Sequence, residues 1–313
     1  MSIKNGHARW AFDLKTWHCT LNNLELATSC IQPEEKDRIS KFVFRDDFNA
    51  SLIGRLLMRH FVKSCMPEVD YIDIRFDRDS RGKPYFRQSI NDDPDSKINI
   101  DFNVSHHERY AILAGTFTNK QHQEQQQQQQ KQQRETIGVD VMKNEYDGGK
   151  PLNEFFRLMH RTFTPNEWQF IKSRNNESEQ TSAFMRHWCL KESYVKNIGI
   201  GITINLQSID FHLNTDHLSM DRVICDTTVS VNREQSPSNW IFEESLLDAD
   251  YSVAVAIKNP SPQYFRLPSN EYRFEIINFD TLMRDSVPLI NIDSDYCRTA
   301  IAKKWKCKPN KLQ

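Results

Sequence analysis

Paired cysteines are absent from this chain of 313 residues. Its seven cysteines are isolated, none belongs to a C-x-x-C pair, and their number is odd. Structural zinc sites use closely spaced thiols, and secreted proteins join an even number of thiols in disulfides. We therefore expect free thiols, no structural zinc, and a reducing compartment, the cytosol.

Long apolar runs are also lacking. No stretch of about 18 apolar residues occurs, so we expect no membrane span. Residues 1–10 lack the apolar centre of a secretory signal. Neither sign of charge is in excess, because 41 Lys and Arg are balanced by 42 Asp and Glu. Without a general positive field we expect no binding to nucleic acid or to an anionic membrane, so any anion site must be a local pocket.

Several nucleotide-binding and hydrolase motifs are missing as well. The sequence has no Walker A loop, no G-x-G-x-x-G, no G-x-S-x-G, no H-E-x-x-H, and no His/Cys spacing typical of a metal site. These absences exclude most nucleotide-binding folds and most serine or zinc hydrolases. Basic turns and two separated carboxylates remain, a pattern that suits Mg²⁺-assisted transfer from a phosphorylated donor.

A helical pattern followed by strand patterns occurs twice along the chain. Apolar spacing predicts helix over 31–66 and 182–198, while alternation predicts strands over 98–104 and 137–142. Residues 71–76 also have the pattern of a strand. Because helices precede strands on each side of a glutamine tract, we expect an α+β fold built from two pseudo-symmetric α/β halves.

Four segments follow from this organisation. They are an N-terminal half over 1–118, a Gln-rich insertion over 119–136, a C-terminal half over 137–258 and a C-terminal extension over 259–313. The insertion cannot bury apolar surface, so we expect a disordered surface loop, with a polyglutamine interaction segment as the alternative. Prolines and charges interrupt the apolar runs of the extension, which we expect to be partly ordered at best.

Trp188, Glu192 and Lys196 share one face of the predicted helix, because they are spaced four apart. Asp140 follows a short apolar run that has the pattern of a strand. If these residues converge, two carboxylates and a lysine can hold a divalent metal over a phosphate and move a proton. The alternative is a surface Glu–Lys helix pair and an unrelated aspartate.

Two further polar segments suit phosphate binding. The turn 78–83 places two arginines and a lysine around a glycine, which lets the backbone approach a ligand closely; the alternative is a solvated hairpin tip. Residues 103–106, Asn-Val-Ser-His, end a strand and could donate to a phosphate; the alternative is a turn whose Asn and Ser bind their own backbone. Arg38 follows several acids and by itself looks like a surface ion-pair partner.

Taken in order, these motifs resemble the Sfp-type 4′-phosphopantetheinyl transferases. That family carries a G-x-D strand end, here 138–140, followed by W-x-x-K-E-x-x-x-K, here 188–196. Further segments look like the animal members of the family, namely 32–39, 54–56, 82–84, 103–106 and 163–168. The similarity covers residues 8–257, and the glutamine tract is an addition to the pattern.

The resemblance implies a reaction and a role for each site residue. 4′-Phosphopantetheine would pass from coenzyme A (CoA), bound between the halves, to a serine of a carrier protein, and adenosine 3′,5′-bisphosphate would leave. Asp140 and Glu192 would hold Mg²⁺ on the CoA pyrophosphate. Glu192 would take the serine proton, directly or through water, and Lys196 would stabilise the leaving group. The implied CoA contacts are Arg38, Arg78, Asp79, Ser80, Arg81, Gly82, Lys83, Asn103, Val104, Ser105, His106, Lys191, Glu192 and Lys196.

One position departs from the bacterial members of the family. They often carry a second acid two residues after the strand aspartate, whereas this chain has Met142, as the animal members do. A thioether is a poor ligand for Mg²⁺. A water or the pyrophosphate would have to take the place of a third carboxylate.

Carrier proteins are the implied partners. Fatty acid synthase, a mitochondrial carrier and an adenylating reductase or synthetase, as in lysine metabolism, all fit. Carrier domains are acidic around their serine, and residues 151–163 offer an apolar and basic helix for docking; the alternative is that its phenylalanines are core and its arginines solvated. We expect a monomer. The competing functions are a CoA-binding module without catalysis and a scaffold that acts through the glutamine tract.

Overall fold

The structure, a computed structural model, describes most of the chain. The described residues are 3–4, 6–87, 98–119, 134–199, 204–232, 234–235, 239–260 and 269–306. Most of the predicted Gln-rich insertion, residues 120–133, lies outside them. None of the helices within these ranges is long and apolar enough to cross a membrane.

The N-terminal half is a sheet covered by one long helix. The helix packs its apolar face on the sheet, and the predicted face residues Ile53, Leu56, Leu57 and Phe61 are all fully buried, which confirms the helical periodicity. The elements of this half are β1 (His7–Asp13), α1 (Leu21–Ser29), α2 (Pro33–Ser40), α3 (Arg45–Cys65), β2 (Phe76–Arg78), β3 (Pro84–Phe86), β4 (Ile98–His107) and β5 (Tyr110–Asn119).

The C-terminal half repeats that plan. Its elements are β6 (Thr136–Lys143), α4 (Leu152–Leu158), α5 (Pro165–Lys172), α6 (Glu177–Ile198), β7 (Ile209–His212), β8 (Thr228–Val231), β9 (Glu234–Gln235), β10 (Trp240–Asp248) and β11 (Tyr251–Lys258). In each half a strand leads to a long helix and then to a hairpin whose second strand pairs with the first, giving the orders β1-β5-β4 and β6-β11-β10. The expectation of two similar α/β halves is confirmed.

Side chains of β4 join the two halves by binding the backbone of β6. The N–H groups of Ile137, Val139 and Lys143 donate to Asp101 Oδ2, Asn103 Oδ1 and His107 Nδ1, at 2.8, 3.0 and 3.0 Å. Because side chains alternate along a strand, every second residue of β4 reaches its neighbour. Three N–H donors on this edge of β6 are thereby satisfied by side chains and not by a backbone ladder between the sheets.

A buried ion pair joins the halves at a second place. The Arg9 guanidinium on β1 donates twice to the Glu243 carboxylate on β10, at 2.6 and 2.8 Å, and both residues are buried. The next residue, Glu244, points to the opposite face of β10 and forms a similar pair with Arg186 on α6. Two adjacent carboxylates therefore connect β10 to the other half and to its own long helix.

The C-terminal segment 269–306 packs against the N-terminal half. It contains β12 (Glu275–Ile277), α7 (Phe279–Met283) and α8 (Ser294–Ala302), and β12 adds to β1 as a parallel edge strand. Ile277, Leu282 and Cys297 are buried in the N-terminal core. Sequence patterns predicted partial order here, because the buried residues are few and separated by polar ones.

Two predicted elements differ in the structure. Residues 71–76 begin with a short 3₁₀ helix, Tyr71–Asp73, rather than a strand. The buried Arg59 guanidinium donates to the carbonyls of Ile74 and Tyr71, so these acceptors cannot join a strand ladder. The predicted helix 31–66 is broken between α2 and α3, where the carbonyl of Phe42 accepts from Lys303.

Candidate active site

The lack of a side chain at Gly138 brings the long helix α6 directly onto β6. A Cβ atom at this position would lie 2.1 Å from the carbonyl oxygen of Ser193 and 2.5 Å from the backbone nitrogen of Asn197. Because side chains alternate along the strand, Asp140 points to the same face as Gly138. In the G-x-D pattern, the glycine therefore allows close packing of the helix on the strand, and the aspartate places a carboxylate beside the helix.

The Asp140 carboxylate is buried, and its two oxygens differ in their surroundings. Oδ1 accepts from Lys196 Nζ at 2.6 Å and from Ser105 Oγ at 2.7 Å, while the Lys196 ammonium also donates to Ser105 Oγ at 2.8 Å. Oδ2 is buried and has no hydrogen-bond partner among the described residues. A buried carboxylate oxygen without a donor is a favourable position for a cation.

Glu192 is half-buried on the same face of α6 as Lys196. Burial raises the pKa of the Glu192 carboxyl, the nearby Asp140 charge raises this pKa further, and the Lys196 charge opposes both. The structure thus brings Asp140, Glu192 and Lys196 together, as the sequence predicted. The surface-pair alternative does not describe them.

These residues lie beside a cavity of about 600 Å³ between the halves, here called the inter-half cavity. Its walls combine basic and polar side chains from both halves with one aromatic ring. The lining residues are Arg81, Gly82, Lys83, Asn103, Arg161, Thr162, Trp188, Glu192, Val195, Lys196, Gly199, Ile204, Asn205 and Leu206. Two of them, Thr162 and Asn205, carry no sequence signal that would have identified them.

The turn 78–83 connects β2 and β3 at the rim of the inter-half cavity. Asp79 Oδ1 accepts from the N–H groups of Arg81 and Lys83, at 2.9 and 2.8 Å, and Gly82 adopts a positive φ of 89°. Arg81 Nη1 donates to the carbonyl of Ile198 at the end of α6, at 3.0 Å. The exposed turn is therefore fastened to the helix that carries Glu192.

Lys83 is already paired in the structure. Its ammonium lies 3.0 Å from Asp101 Oδ2, and it also donates to the carbonyl of Ile137 at 3.3 Å. Arg78 donates to the carbonyl of Gly82 at 2.7 Å, and Ser80 is exposed. Arg81 and Lys83 line the inter-half cavity, whereas Arg78 faces a second basic cluster.

That basic cluster surrounds Glu35. Burial lowers the pKa of Arg78, and the charge of Arg38 lowers it further. Arg55 is buried, lies 3.5 Å from the Glu35 carboxylate, and is also affected by the charges of Arg78 and Arg38. The charges of Arg55, Arg59 and Arg78 thus act on the Glu35 carboxylate, and Arg38 adds a further positive charge near Arg55 and Arg78, so the cluster has an excess of positive charge. The family resemblance pointed to Arg38 and Arg78 as CoA contacts, and the matched segment 54–56 includes Arg55, to which no role was assigned.

The segment 103–106 divides between the two faces of β4. Asn103 and Ser105 point to the junction with β6, where Asn103 accepts from the Val139 N–H and Ser105 donates to Asp140. Val104 packs on the N-terminal core instead, and His106 is exposed. The Asn and Ser side chains therefore bind the neighbouring half, not their own backbone.

Lys191 does not face the inter-half cavity. It is 1% exposed, and its ammonium donates to the carbonyls of Leu206 and Ile209, both at 2.7 Å, and to Glu167 Oε2 at 2.8 Å. All three of its N–H donors are used inside the protein. Its placement does not support the phosphate contact expected from the sequence.

An apolar pocket of about 260 Å³ lies on the other side of Trp188 from the basic walls. Aromatic rings and thioethers dominate it, and charged side chains surround the rim. Its lining residues are His107, Glu108, Met142, Lys143, Glu145, Tyr146, Asp147, Phe155, Met159, Phe184, Met185 and Trp188. Met142 therefore belongs to this pocket and not to a third carboxylate position.

Helix α4 has both of the characters predicted for residues 151–163. Phe155 and Phe156 are buried in the core, as the alternative held. Leu158 is 60% exposed, and Arg157 and Arg161 are exposed beside it. Within the described ranges, no group of three or more His, Cys, Asp and Glu residues could hold a metal ion.

Comparisons with known proteins give one result over most of the chain. Residues 15–118 match the family model "4'-phosphopantetheinyl transferase, N-terminal", and residues 136–256 match "4'-phosphopantetheinyl transferase superfamily". The L-aminoadipate-semialdehyde dehydrogenase-phosphopantetheinyl transferases of Xenopus laevis and Homo sapiens are 35% and 36% identical to it, over 93% and 96% of this chain and 90% of theirs. The transferase Sfp of Bacillus subtilis is 27% identical over 74% of this chain and 84% of its own.

Proposed function

Because the chain belongs to the 4′-phosphopantetheinyl transferase superfamily, whose members transfer phosphopantetheine to carrier proteins, we propose that it does so at the Asp140–Glu192–Lys196 cluster. The observation that carries this assignment is the Asp140 carboxylate, which is buried, paired with Lys196 through one oxygen and without a partner at the other. The inter-half cavity beside it is where CoA would bind.

Asp140 and Glu192 are the residues that would hold Mg²⁺. Their fit rests on the free Oδ2 of Asp140 and on Glu192 in the cavity wall. Mg²⁺ needs only one or two carboxylates when phosphate oxygens and waters complete its shell, so Asp140 and Glu192 suffice without a third acid at residue 142. The bound ion supplies charge neutralisation at the CoA pyrophosphate.

Glu192 is the proposed proton acceptor. The carrier serine Oγ forms a bond to the β-phosphorus of CoA, the bond from that phosphorus to the bridging oxygen breaks, and the serine proton passes to the Glu192 carboxylate directly or through a water. The raised pKa of Glu192 favours proton acceptance. Lys196 would neutralise charge on the departing adenosine 3′,5′-bisphosphate, and such transfers depend more on positioning and charge than on covalent catalysis.

The basic walls would bind the nucleotide part of CoA. Arg81 and Lys83 line the cavity near the proposed pyrophosphate site, while Arg38 and Arg78 offer the excess positive charge of the Glu35 cluster to a further phosphate. Guanidinium groups bind phosphate through paired donors. The uncharged pantetheine arm would then extend past Trp188 into the apolar pocket.

The exposed end of α4 is the proposed docking surface for the carrier. Leu158, Arg157 and Arg161 combine an exposed apolar side chain with two positive charges, and Arg161 also lines the cavity. This surface suits a carrier that is acidic around its serine. We propose as carriers a fatty acid synthase, a mitochondrial carrier, or an adenylating reductase or synthetase of lysine metabolism, and the cytosol as the compartment.

One labelling experiment tests the proposal. The protein is incubated with a fluorescent CoA, Mg²⁺ and several apo carrier proteins, each beside a variant whose acceptor serine is alanine. We expect label on the serine-containing carriers alone, and the relative rates would rank the three carrier classes. Absence of label on all carriers would contradict the proposed transferase activity and would favour a CoA-binding protein without catalysis.

A further inference from the structure

Lys191 and Glu167 form an ion pair inside the C-terminal half. Lys191 lies on α6 and Glu167 lies in the first turn of α5, and each residue is 1% exposed. Their charged atoms are 2.8 Å apart. Burial lowers the pKa of the Lys191 ammonium and raises the pKa of the Glu167 carboxyl, while each partner's charge opposes the other's shift.

The pair is saturated with hydrogen bonds from three different segments. Glu167 accepts from the Thr164 N–H at 2.8 Å as part of the helix cap of α5, and from the Phe211 N–H of β7 at 3.1 Å. Lys191 donates to the carbonyls of Leu206 and Ile209. The pair therefore fastens the segment 206–211 to two helices at once.

Stability alone does not account for this arrangement. Moving two charges out of water costs several kcal/mol per ion, and apolar residues of similar size often do as well or better in such places. The carbonyls of Leu206 and Ile209 would then lose the hydrogen bonds that tie them to α6, although the Leu206 carbonyl would still accept from the backbone N–H of Ile209. A lysine is required here if the position of segment 205–209 matters.

That segment is a wall of the inter-half cavity. Asn205 and Leu206 line the cavity opposite Glu192 and Lys196 of α6. Lys191 is the residue directly before Glu192, and its side chain points to the other side of the helix, into the core. Helix α6 thus presents Glu192 to the cavity, and through Lys191 it also holds the segment that contains Asn205 and Leu206.

We propose that Lys191 is a positioning residue, which sets the width of the CoA site by fixing residues 205–209 against α6. The inference rests on the proposed function of the inter-half cavity as the CoA site. Lys191 touches no substrate in this assignment. Its loss would loosen the wall and weaken CoA binding, while Glu192, Asp140 and Lys196 keep their mutual contacts.

The test is a Lys191→Met variant, compared with Arg186→Met. Arg186 also forms a buried ion pair from α6, with Glu244, and contacts no lining residue of the inter-half cavity, so it is the matched control. We expect Lys191→Met to raise the KM for CoA about tenfold and to change kcat less than about threefold. Arg186→Met should lower the melting temperature without moving the KM for CoA.

A second variant removes the cost of leaving Glu167 unpaired. In Lys191→Met/Glu167→Leu both charges are replaced by apolar groups, so the fold should be largely restored, but the carbonyls of Leu206 and Ile209 are still no longer bound by α6. The KM for CoA should stay raised in this double variant, and isothermal titration with CoA in the absence of carrier should show the same loss of affinity. A wild-type KM in the folded double variant would overturn the proposal.

Failure of the positioning role and failure of the proposed function give different results. If wild-type protein labels carriers and the KM for CoA is unchanged in both Lys191 variants, the positioning role is wrong. If wild-type protein labels no carrier and binds no CoA in the titration, the proposed function itself is wrong and the positioning role falls with it. A raised KM in the Lys191 variants together with an unchanged KM in Arg186→Met supports the proposal.

Discussion

Lys196 Nζ lies 2.6 Å from Asp140 Oδ1, while the second oxygen of the same carboxylate has no hydrogen-bond partner among the residues that the structure describes. One oxygen of this carboxylate is therefore held by Lys196, while the other remains available to a ligand. The Ser105 hydroxyl donates to the same oxygen that Lys196 contacts, so both neighbours bind Oδ1 and leave Oδ2 available.

Replacing Asp140 with Asn should abolish most of the transfer activity. The amide keeps the shape of the side chain but loses the negative charge that would attract Mg²⁺ and pair with Lys196. We expect the rate of carrier labelling to fall by about a hundredfold or more, in line with the loss of an electrostatic group at a reacting centre. The exposed acid Asp280 provides the control, since Asp280→Asn should label carriers at the wild-type rate.

Replacing Glu192 with Gln should lower kcat more than it raises the KM for CoA. Glutamine cannot accept the serine proton, and a general base contributes about 10²- to 10⁴-fold to a rate. Steady-state labelling with varied CoA separates the two constants. An unchanged kcat in folded Glu192→Gln would assign the proton to another group.

Replacing Gly138 with Ala should push α6 away from β6. The new Cβ would lie 2.1 Å from a backbone oxygen of the helix, and neither backbone can yield cheaply. We expect destabilisation of about 1–3 kcal/mol, as for an overpacked core, together with loss of labelling. Gly54 in α3 has open space around its Cβ position, so Gly54→Ala should instead stabilise by about 0.5–1 kcal/mol in urea unfolding.

Stability should fall as the pH drops below about 6.5, the usual pKa of histidine, because burial lowers the pKa of three histidines: His7 and His187 to about 3 and His60 to about 4. Burial lowers the pKa of His187 to about 3 in the folded protein, where its Nδ1–H donates to the carbonyl of Ala183. Between these two pKa values the unfolded chain binds the proton and the folded chain does not, so acid favours unfolding.

The expected slope from this one group is about 1.4 kcal/mol per pH unit over that window. Urea unfolding at pH 7.5 and pH 5 measures it. His187→Met should reduce the slope by the share of this one group, while His7 and His60 keep theirs, and replacement of the exposed His217 by Gln should leave the slope as in the wild type. Equal slopes in both variants would show that the acid sensitivity arises elsewhere.

Deleting residues 121–133 should leave turnover nearly unchanged. The flanking strands end at Asn119 and begin at Thr136, and Glu135 between them is held by Thr116 Oγ1 and by Asn99 through its backbone carbonyl. These anchors are independent of the glutamine tract. A large loss of labelling in the deletion variant would favour the scaffold function.

Local signals predicted the elements around the site well. Thr164 and Glu167 form the capping box that their spacing indicates, Gly199 ends α6 with a positive φ of 66°, and the alternating run from Ile98 forms β4. Such features depend on residues three or four apart, or on every second residue, and so are visible in the sequence.

Contacts between distant segments could not be predicted in the same way. No local pattern indicated that Lys191 points into the core, because adjacent residues of a helix differ by about 100° and an aliphatic stem suits either side. The Ser105 contact with Asp140 crosses the junction of the halves. The pairing of β12 with β1 joins segments from opposite ends of the sequence, so no local pattern indicates it.

The junction between β4 and β6 has a consequence for how the site is assembled. Asn103 binds the β6 backbone and Ser105 binds Asp140, so the contacts that hold the halves together also complete the acidic centre. We therefore expect neither half to be active alone, although Asp140, Glu192 and Lys196 all lie in the C-terminal half. If the chain were cut within the glutamine tract, activity of the two fragments would become a direct measure of their association, and the protein would behave as a natural split reporter.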